Sequence, residues 1–148
     1  MNRPKRSNKL NILSLARSFS NSSERTAIAN TTIECSELIY SLIQEGKVQE
    51  DELRYTARVA GTLAAKNAGL WIPYCHSSSI NTLQIEFSWD ERTIVIQALV
   101  KAKTANSIDT LAMTAASTAA LTIYDVCKDY DKAMVIGPTY LSRKSDDT

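Results

Sequence analysis

Two consecutive segments of the chain have the apolar residues of strands, and they restrict the fold more than any other feature. Residues 82–89 place four large apolar side chains on one face, Leu83, Ile85, Phe87 and Trp89. A two-residue period of this kind predicts a strand with one buried face. Residues 93–103 are rich in Ile and Val and predict a second strand, and Asp90-Glu91-Arg92 predicts the turn between them. Together the segments predict an antiparallel hairpin.

Helical periodicity flanks the hairpin on both sides. It predicts helices over residues 33–43, stopped by Gly46, over residues 51–67, ended by Gly69, and over residues 107–128. The third of these is rich in alanine, which indicates either close packing in a buried position or simple helix propensity. Residues 134–141 predict a last strand interrupted by Gly137-Pro138. Helices among antiparallel strands predict an α+β sandwich, with the helices packed on one face of the sheet.

Length and charge limit the kinds of partner. A chain of 148 residues predicts one domain, here residues 21–148. Residues 1–20 are basic and rich in serine, which fits an organelle transit peptide or a plain solvated tail. The net charge of +1 argues against nucleic acid or an anionic membrane surface as a partner. Apolar runs stay well short of the roughly 18 residues that span a bilayer.

Three cysteines, Cys35, Cys75 and Cys127, are an odd number without a close pair, which fits a reducing compartment better than a disulfide framework. With the single histidine, His76, they could in principle form a Cys3His zinc site, but the spacing of such sites is missing. No run of carboxylates suggests a metal held by the protein. The sequence therefore predicts neither a metal nor another cofactor.

Asp125 and Lys128 are three residues apart on the predicted long helix, and so they share a face. They can be a surface ion pair of small energetic value. Alternatively, they can do acid and base chemistry, with a partly buried lysine losing basicity through desolvation. Periodicity does not distinguish the two interpretations.

Cys75 and His76 are adjacent, and in an extended segment they point to opposite sides, which argues against a thiolate–imidazole dyad. They can be a buried cysteine beside a hydrogen-bonded histidine, or part of a ligand pocket in which His76 donates to a substrate oxygen. Cations that could meet a phosphate are Arg58 and Lys66 on the second helix, with Lys101, Lys103 and Lys144 as further candidates.

Several segments, in order and spacing, resemble the MoaC family of molybdenum cofactor biosynthesis. They are Thr-Ala-Arg-Val-Ala-Gly at 56–61, Ala-Ala-Lys at 64–66, Ile-Pro-Tyr-Cys-His at 72–76, the helix from 111 to 128, and Met-Val-Ile-Gly-Pro at 134–138. The resemblance implies a ferredoxin-like α+β fold and a homohexamer, a trimer of dimers with active sites where subunits meet. It implies a cytoplasmic lyase that converts the cyclised dihydro-GTP product of a radical enzyme to cyclic pyranopterin monophosphate, releasing diphosphate.

The resemblance also implies roles for individual residues. Asp125 and Lys128 match the family's catalytic aspartate and lysine. Tyr74, Cys75 and His76 stand where the substrate is contacted, and Lys66 and Lys144 match basic positions of the same site.

Some positions depart from the family pattern. Asp109, Thr110 and Leu111 replace a Glu-Met-Glu run that contributes to the substrate site, and Glu50 replaces a lysine. The family's glycine-rich segment after Lys144 is absent as well. Two hypotheses follow from the sequence: a working lyase, or a catalytically weak relative that binds nucleotides or serves a structural role.

Overall fold

The computed structural model describes residues 24–76, 80–103 and 107–146 of the chain. The helices are α1, Glu37–Gln44; α2, Glu50–Asn67; and α3, Ile108–Cys127. The strands are β1, Arg25–Glu34; β2, Ile80–Asp90; β3, Thr93–Ala102; β4, Val135–Ile136; and β5, Tyr140–Asp146. A 3-10 turn, Ala68–Leu70, follows α2 directly.

All strand pairs are antiparallel, and β1 lies in the middle of the sheet. One edge of β1 pairs with β3 along its whole length, from Arg25 opposite Ala102 to Glu34 opposite Thr93. Its other edge pairs with β5 and then with β4. The strand β2 lies outside β3. The first strand of the fold is therefore held by both the middle and the end of the chain.

The predicted hairpin is confirmed. The strands β2 and β3 pair from Ile80 to Asp90, and Glu91 in the turn has a φ of 53°. The predicted last strand is also present, divided into β4 and β5 at Gly137-Pro138. Gly137 has a φ of 101°, a conformation that favours glycine, and its backbone N–H donates to the Thr32 carbonyl at 2.8 Å.

The predicted start of the first helix was wrong. Ile33 lies in β1 with its side chain fully buried, and α1 begins only at Glu37. Ser36 caps this helix, because its hydroxyl accepts a hydrogen bond from the Ile39 backbone N–H at 3.2 Å. The apolar residues of 33–43 thus belong to two elements. Ile33 is the last inward-facing residue of β1, and the later ones belong to α1.

The core lies between the sheet and α3. Alternate residues of β1 and β3 point into it, and on α3 the five alanines Ala112, Ala115, Ala116, Ala119 and Ala120 are fully buried. Small side chains on both surfaces let the helix lie close to the sheet. Together α1, α2 and α3 pack on the sheet, which agrees with the ferredoxin-like α+β architecture.

The second helix, α2, packs against α3 at a glycine. A Cβ atom on Gly61 would lie 2.6 Å from the Ala115 carbonyl oxygen and 2.6 Å from the Ile85 side chain. The backbone of α2 at Gly61 therefore lies directly against the Ala115 carbonyl of α3 and the Ile85 side chain of β2, with no space for a methyl group. This contact sets the position of α2 and of the turn that follows it.

Candidate active site

Asp125 and Lys128 form a close ion pair at the carboxyl end of α3. The Lys128 Nζ donates to the Asp125 Oδ1 at 2.6 Å, and both side chains are partly exposed. The hydrogen bond from Asp125, and then its charge, raise the pKa of Lys128 above the ordinary value. Of the two interpretations that the sequence left open, the one with a less basic, partly buried lysine does not apply to the single chain, in which Lys128 is a protonated cation at neutral pH.

The Cys75-His76 segment lies at the other end of the same helix. The Ser107 hydroxyl, just before α3, donates to the Tyr74 carbonyl at 3.3 Å, and the Cys75 backbone N–H donates to the Ile72 carbonyl at 3.1 Å. Tyr74 is 92% exposed and His76 is exposed, whereas Cys75 is buried. Adjacent side chains thus point to opposite sides, and the Cys75 thiol faces the core instead of a ligand.

The first turn of α3 brings a carboxylate and a cation next to this segment. Asp109 Oδ1 accepts from the Thr110 backbone N–H at 3.0 Å, and the Lys144 Nζ lies 3.7 Å from Asp109 Oδ2. The strand β5 supplies Lys144. Asp109, Thr110 and Lys144 are therefore close together in the structure.

The two groups of predicted residues are far apart within one chain. Asp109 and Asp125 are sixteen residues apart on the continuous helix α3. At the rise of an α-helix this separates them by about 24 Å. A single substrate could not touch both groups in one chain.

One predicted contribution is contradicted by packing, and one candidate cation contacts the sheet. Leu111 is fully buried in the core, so its side chain does not line a ligand site in the single chain. Arg58 is exposed but is held beside β2, because its Nε donates to the Ile85 carbonyl at 3.0 Å and its guanidinium lies 5.3 Å from the centroid of the Phe87 ring.

Glu50 has a local structural role at the start of α2. It accepts a hydrogen bond from the Trp89 indole at 2.7 Å and pairs with Arg54 at 2.9 Å. Lys66, at the opposite end of α2, is exposed and borders a shallow pocket with Asn67, Gly69 and Leu70. Of the remaining cations, Lys101 and Lys103 are partly buried at the end of β3.

Sequence reasoning missed one residue, Trp71. Its side chain is 59% exposed and borders an open groove of about 310 Å³ along α3. The other residues that line this groove are Thr110, Met113, Thr114, Ser117 and Thr118. The sequence did contain a signal for Trp71, namely an aromatic residue four places before Cys75 in a segment already singled out for function.

The buried cysteines do not resemble nucleophiles. Burial raises the pKa of Cys35 to about 11, with a contribution from Cys127, and burial also raises the pKa of Cys127. Within the ranges 24–76, 80–103 and 107–146, no three His, Cys, Asp or Glu side chains are arranged to hold a metal ion. No helix of these ranges has the length and apolar content needed to cross a bilayer.

Comparisons with known proteins agree with the motifs. The MoaC family model matches residues 18–146. A cyclic pyranopterin monophosphate synthase of Halalkalibacterium halodurans is 44% identical over 126 residues, which cover 82% of this chain and 76% of the relative. Proteins of the same name from Geobacillus thermodenitrificans and Staphylococcus aureus are each 41% identical, and each alignment covers 82% of this chain and 77% of the relative.

Proposed function

The chain belongs to the MoaC family, and we propose from this membership that it is a lyase of molybdenum cofactor biosynthesis. Its reaction converts cyclised dihydro-GTP to cyclic pyranopterin monophosphate and releases diphosphate. Relatives that carry the name of this synthase match more than four fifths of the chain. The family model spans both ends of α3. The preceding enzyme must then be a radical enzyme that forms the cyclised substrate.

The Asp125–Lys128 pair is the observation on which the catalytic assignment depends. Formation of a cyclic phosphate with loss of diphosphate requires a proton to leave the attacking hydroxyl, and negative charge develops on the leaving group. An ionised carboxylate can accept the proton, and a protonated lysine can neutralise the charge. The 2.6 Å contact raises the pKa of Lys128 and so favours its protonated form.

The other end of α3 offers groups suited to substrate binding. Lys144 and Lys66 are cations that can meet phosphates, and the exposed side chains of Tyr74 and His76 can donate hydrogen bonds. Asp109 keeps a carboxylate in the first turn of the helix and holds Lys144 near it. Thr110 adds a hydroxyl at the same point.

We infer that the complete site contains residues of two chains. Catalytic and binding groups separated by about 24 Å in one chain can face one substrate only if a second copy supplies one of the two groups. A homohexamer built as a trimer of dimers satisfies this requirement. The compartment that fits is the cytoplasm, because the three cysteines are free and buried.

The direct test is a turnover assay. Purified protein is incubated with cyclised dihydro-GTP, and diphosphate and the pterin product are measured. We expect both products in equal amounts, and a loss of roughly 10²–10⁴-fold in the Asp125→Ala and Lys128→Ala variants. The matched control is Lys132→Ala, which removes an exposed lysine four residues after Lys128. Absence of turnover in the unmodified chain would refute the assignment.

A further inference from the structure

A groove beside the candidate site has an aromatic wall and a hydroxyl-bearing floor. The wall is the indole of Trp71, and the floor is the outward face of α3. Thr110, Thr114, Ser117 and Thr118 lie on that side because Thr114 is four residues from Thr110 and from Thr118 and three from Ser117. The thioether of Met113 adds a polarisable apolar surface.

The backbone holds Trp71 and the floor in fixed positions. The Trp71 and Ile72 backbone N–H groups both donate to the Ala68 carbonyl, at 3.2 Å and 2.9 Å, which fixes the turn that presents the indole. On the floor, the Ser117 hydroxyl donates to the Thr139 hydroxyl at 3.3 Å, and Thr139 is hydrogen-bonded to the buried Thr31 at 2.7 Å. The groove is therefore built from anchored residues.

The size and polarity of the groove fit a flat heterocycle with polar edges. Its volume of about 310 Å³ is at the lower end of small-molecule sites, enough for a fused ring system but not for a whole nucleoside triphosphate. An indole face attracts a flat ring, and hydroxyls can donate to or accept from ring edges. The phosphates would have to lie outside the groove.

One cation lies at the Thr110 end of the groove, and a second precedes Trp71 in the chain. Thr110 belongs both to the groove and to the cluster with Asp109 and Lys144. Lys66 borders the pocket immediately before Trp71 in the chain. An aromatic wall next to cations is a combination suited to a nucleotide, whose ring stacks while its phosphates pair with lysines.

We propose that Trp71 stacks on the heterocyclic ring of the substrate in this groove and sets the specificity for that ring. This inference rests on the proposed function, because it takes the substrate to be a guanine-derived nucleotide. Trp71 is a binding residue in this assignment and takes no part in proton transfer. Its removal should weaken binding more than it slows the reaction.

Fluorescence can test the contact because the chain has two tryptophans, Trp71 and Trp89. The Trp89→Phe variant leaves Trp71 as the only indole, and the Trp71→Phe variant leaves Trp89. Each full-length variant is titrated with GTP, guanosine or tripolyphosphate. We expect saturable quenching of Trp71 by GTP and, more weakly, by guanosine, and no response of Trp89. Tripolyphosphate should displace GTP without quenching Trp71 on its own.

Kinetics separate this proposal from the proposed function. With cyclised dihydro-GTP, Trp71→Ala should raise KM by roughly 5- to 100-fold, the range of a lost stacking contact, and change kcat little. The Trp71→Phe variant should recover most of the loss. Quenching without turnover in the unmodified chain would overturn the proposed function and leave the groove assignment standing.

Other outcomes overturn the groove assignment itself. One is unchanged KM in Trp71→Ala while the unmodified chain is active. Another is unchanged Trp71 emission at GTP concentrations that equilibrium dialysis shows to be bound. A third is emission that responds to protein concentration and not to GTP, since a second copy of the chain would then occupy the groove.

Discussion

At the scale of single residues, the charge on Lys128 depends on its neighbour. Asp125 stabilises the ammonium form through a hydrogen bond and through its negative charge, and Asp129 adds a smaller electrostatic contribution. An exposed lysine of this kind acts as a proton donor or as a cation in the isolated chain. Any role as a base would require the desolvation that a second chain can provide.

The Asp125→Asn variant tests this coupling. The pKa of Lys128 should fall toward its ordinary value, because an amide cannot stabilise the ammonium form through charge. The pKa is followed by NMR titration of ¹³C-methylated lysines. Asp129→Asn is the matched control and should lower the pKa less. An unchanged Lys128 pKa in Asp125→Asn would contradict the pairing seen here.

The buried thiols predict resistance to alkylation. Cys35 and Cys127 should react with iodoacetamide at pH 8 far more slowly than in urea, because both are buried and their pKa values are raised. Peptide mass spectrometry measures labelling at each position. Rapid labelling of Cys35 in the folded protein would show that the β1–α1 connection opens.

The raised pKa of Cys35 also predicts that the stability of the fold depends on pH. The pKa of Cys35 rises from 9.0 to about 11 on folding, so the folded state holds the thiol proton more tightly. The resulting stabilisation is fully present below pH 9 and is lost as the pH rises toward 11. In Cys35→Ala, urea denaturation should show a weaker fall in stability across this window than in the unmodified chain.

Single residues also mark the limit of sequence reasoning about the site. The pairing of Asp125 with Lys128 was predictable, because helical spacing fixes which side chains are neighbours. The burial of Leu111 and the contacts of Arg58 were not, since both depend on which face of a helix meets the sheet. The motif segment containing Trp71 was recognised, but the groove beside it forms only when α3 packs against the following turn.

At the scale of elements, the contact between α2 and α3 depends on the absence of a side chain. Gly61→Ala should destabilise the fold, although alanine favours a helix by about 1 kcal/mol. Overpacking costs about 1–3 kcal/mol, and the upper half of that range applies because the obstacle includes the Ala115 backbone oxygen, which cannot move alone. We expect a net loss of about 1–2 kcal/mol and a Tm lower by roughly 3–6 °C.

Thermal denaturation followed by circular dichroism measures the effect of Gly61→Ala. Thr62→Ala is the control at the next position, where the hydroxyl bonds only within the helix, to the Arg58 carbonyl at 2.8 Å. That change should be close to neutral. Equal Tm values for Gly61→Ala and the unmodified chain would contradict this, because the cost of overpacking would then be only about the 1 kcal/mol that alanine contributes to the helix.

Elements with a clear period were predictable, and one without it was missed. The strand β2 alternates apolar with polar residues, β3 is rich in Ile and Val, and α2 and α3 begin and end within one residue of their predicted bounds. The strand β1 was not predicted, because its inward residues include Ala27, Ala29 and Thr31, which are too small or too polar to mark a buried face. Only tertiary pairing with β3 and β5 makes this segment a central strand.

At the scale of the whole molecule, the shared site can be tested by complementation. Asp125→Ala and His76→Ala chains are each expected to be inactive, and co-refolding them in equal amounts should restore about one quarter of the activity. Only sites that take His76 from one chain and Asp125 from another can then be complete. The turnover assay measures the recovery.

A matched mixture controls for other effects of refolding. Asp125→Ala and Lys128→Ala alter the same end of α3, so mixing these two variants should restore nothing. Recovery in this second mixture, or none in the first, would contradict a site built from opposite ends of α3 in two chains.

The pairing of β1 with β5 has a consequence for synthesis of the protein. During translation β1 leaves the ribosome first, whereas residues 140–146, which complete one of its edges, leave last. An open edge of a central strand is a surface on which another nascent chain can add its own strand. One edge of β1 therefore lacks its pairing with β5 for nearly the whole period of elongation. A nascent chain that stalls before residue 140 cannot cover that edge with β5.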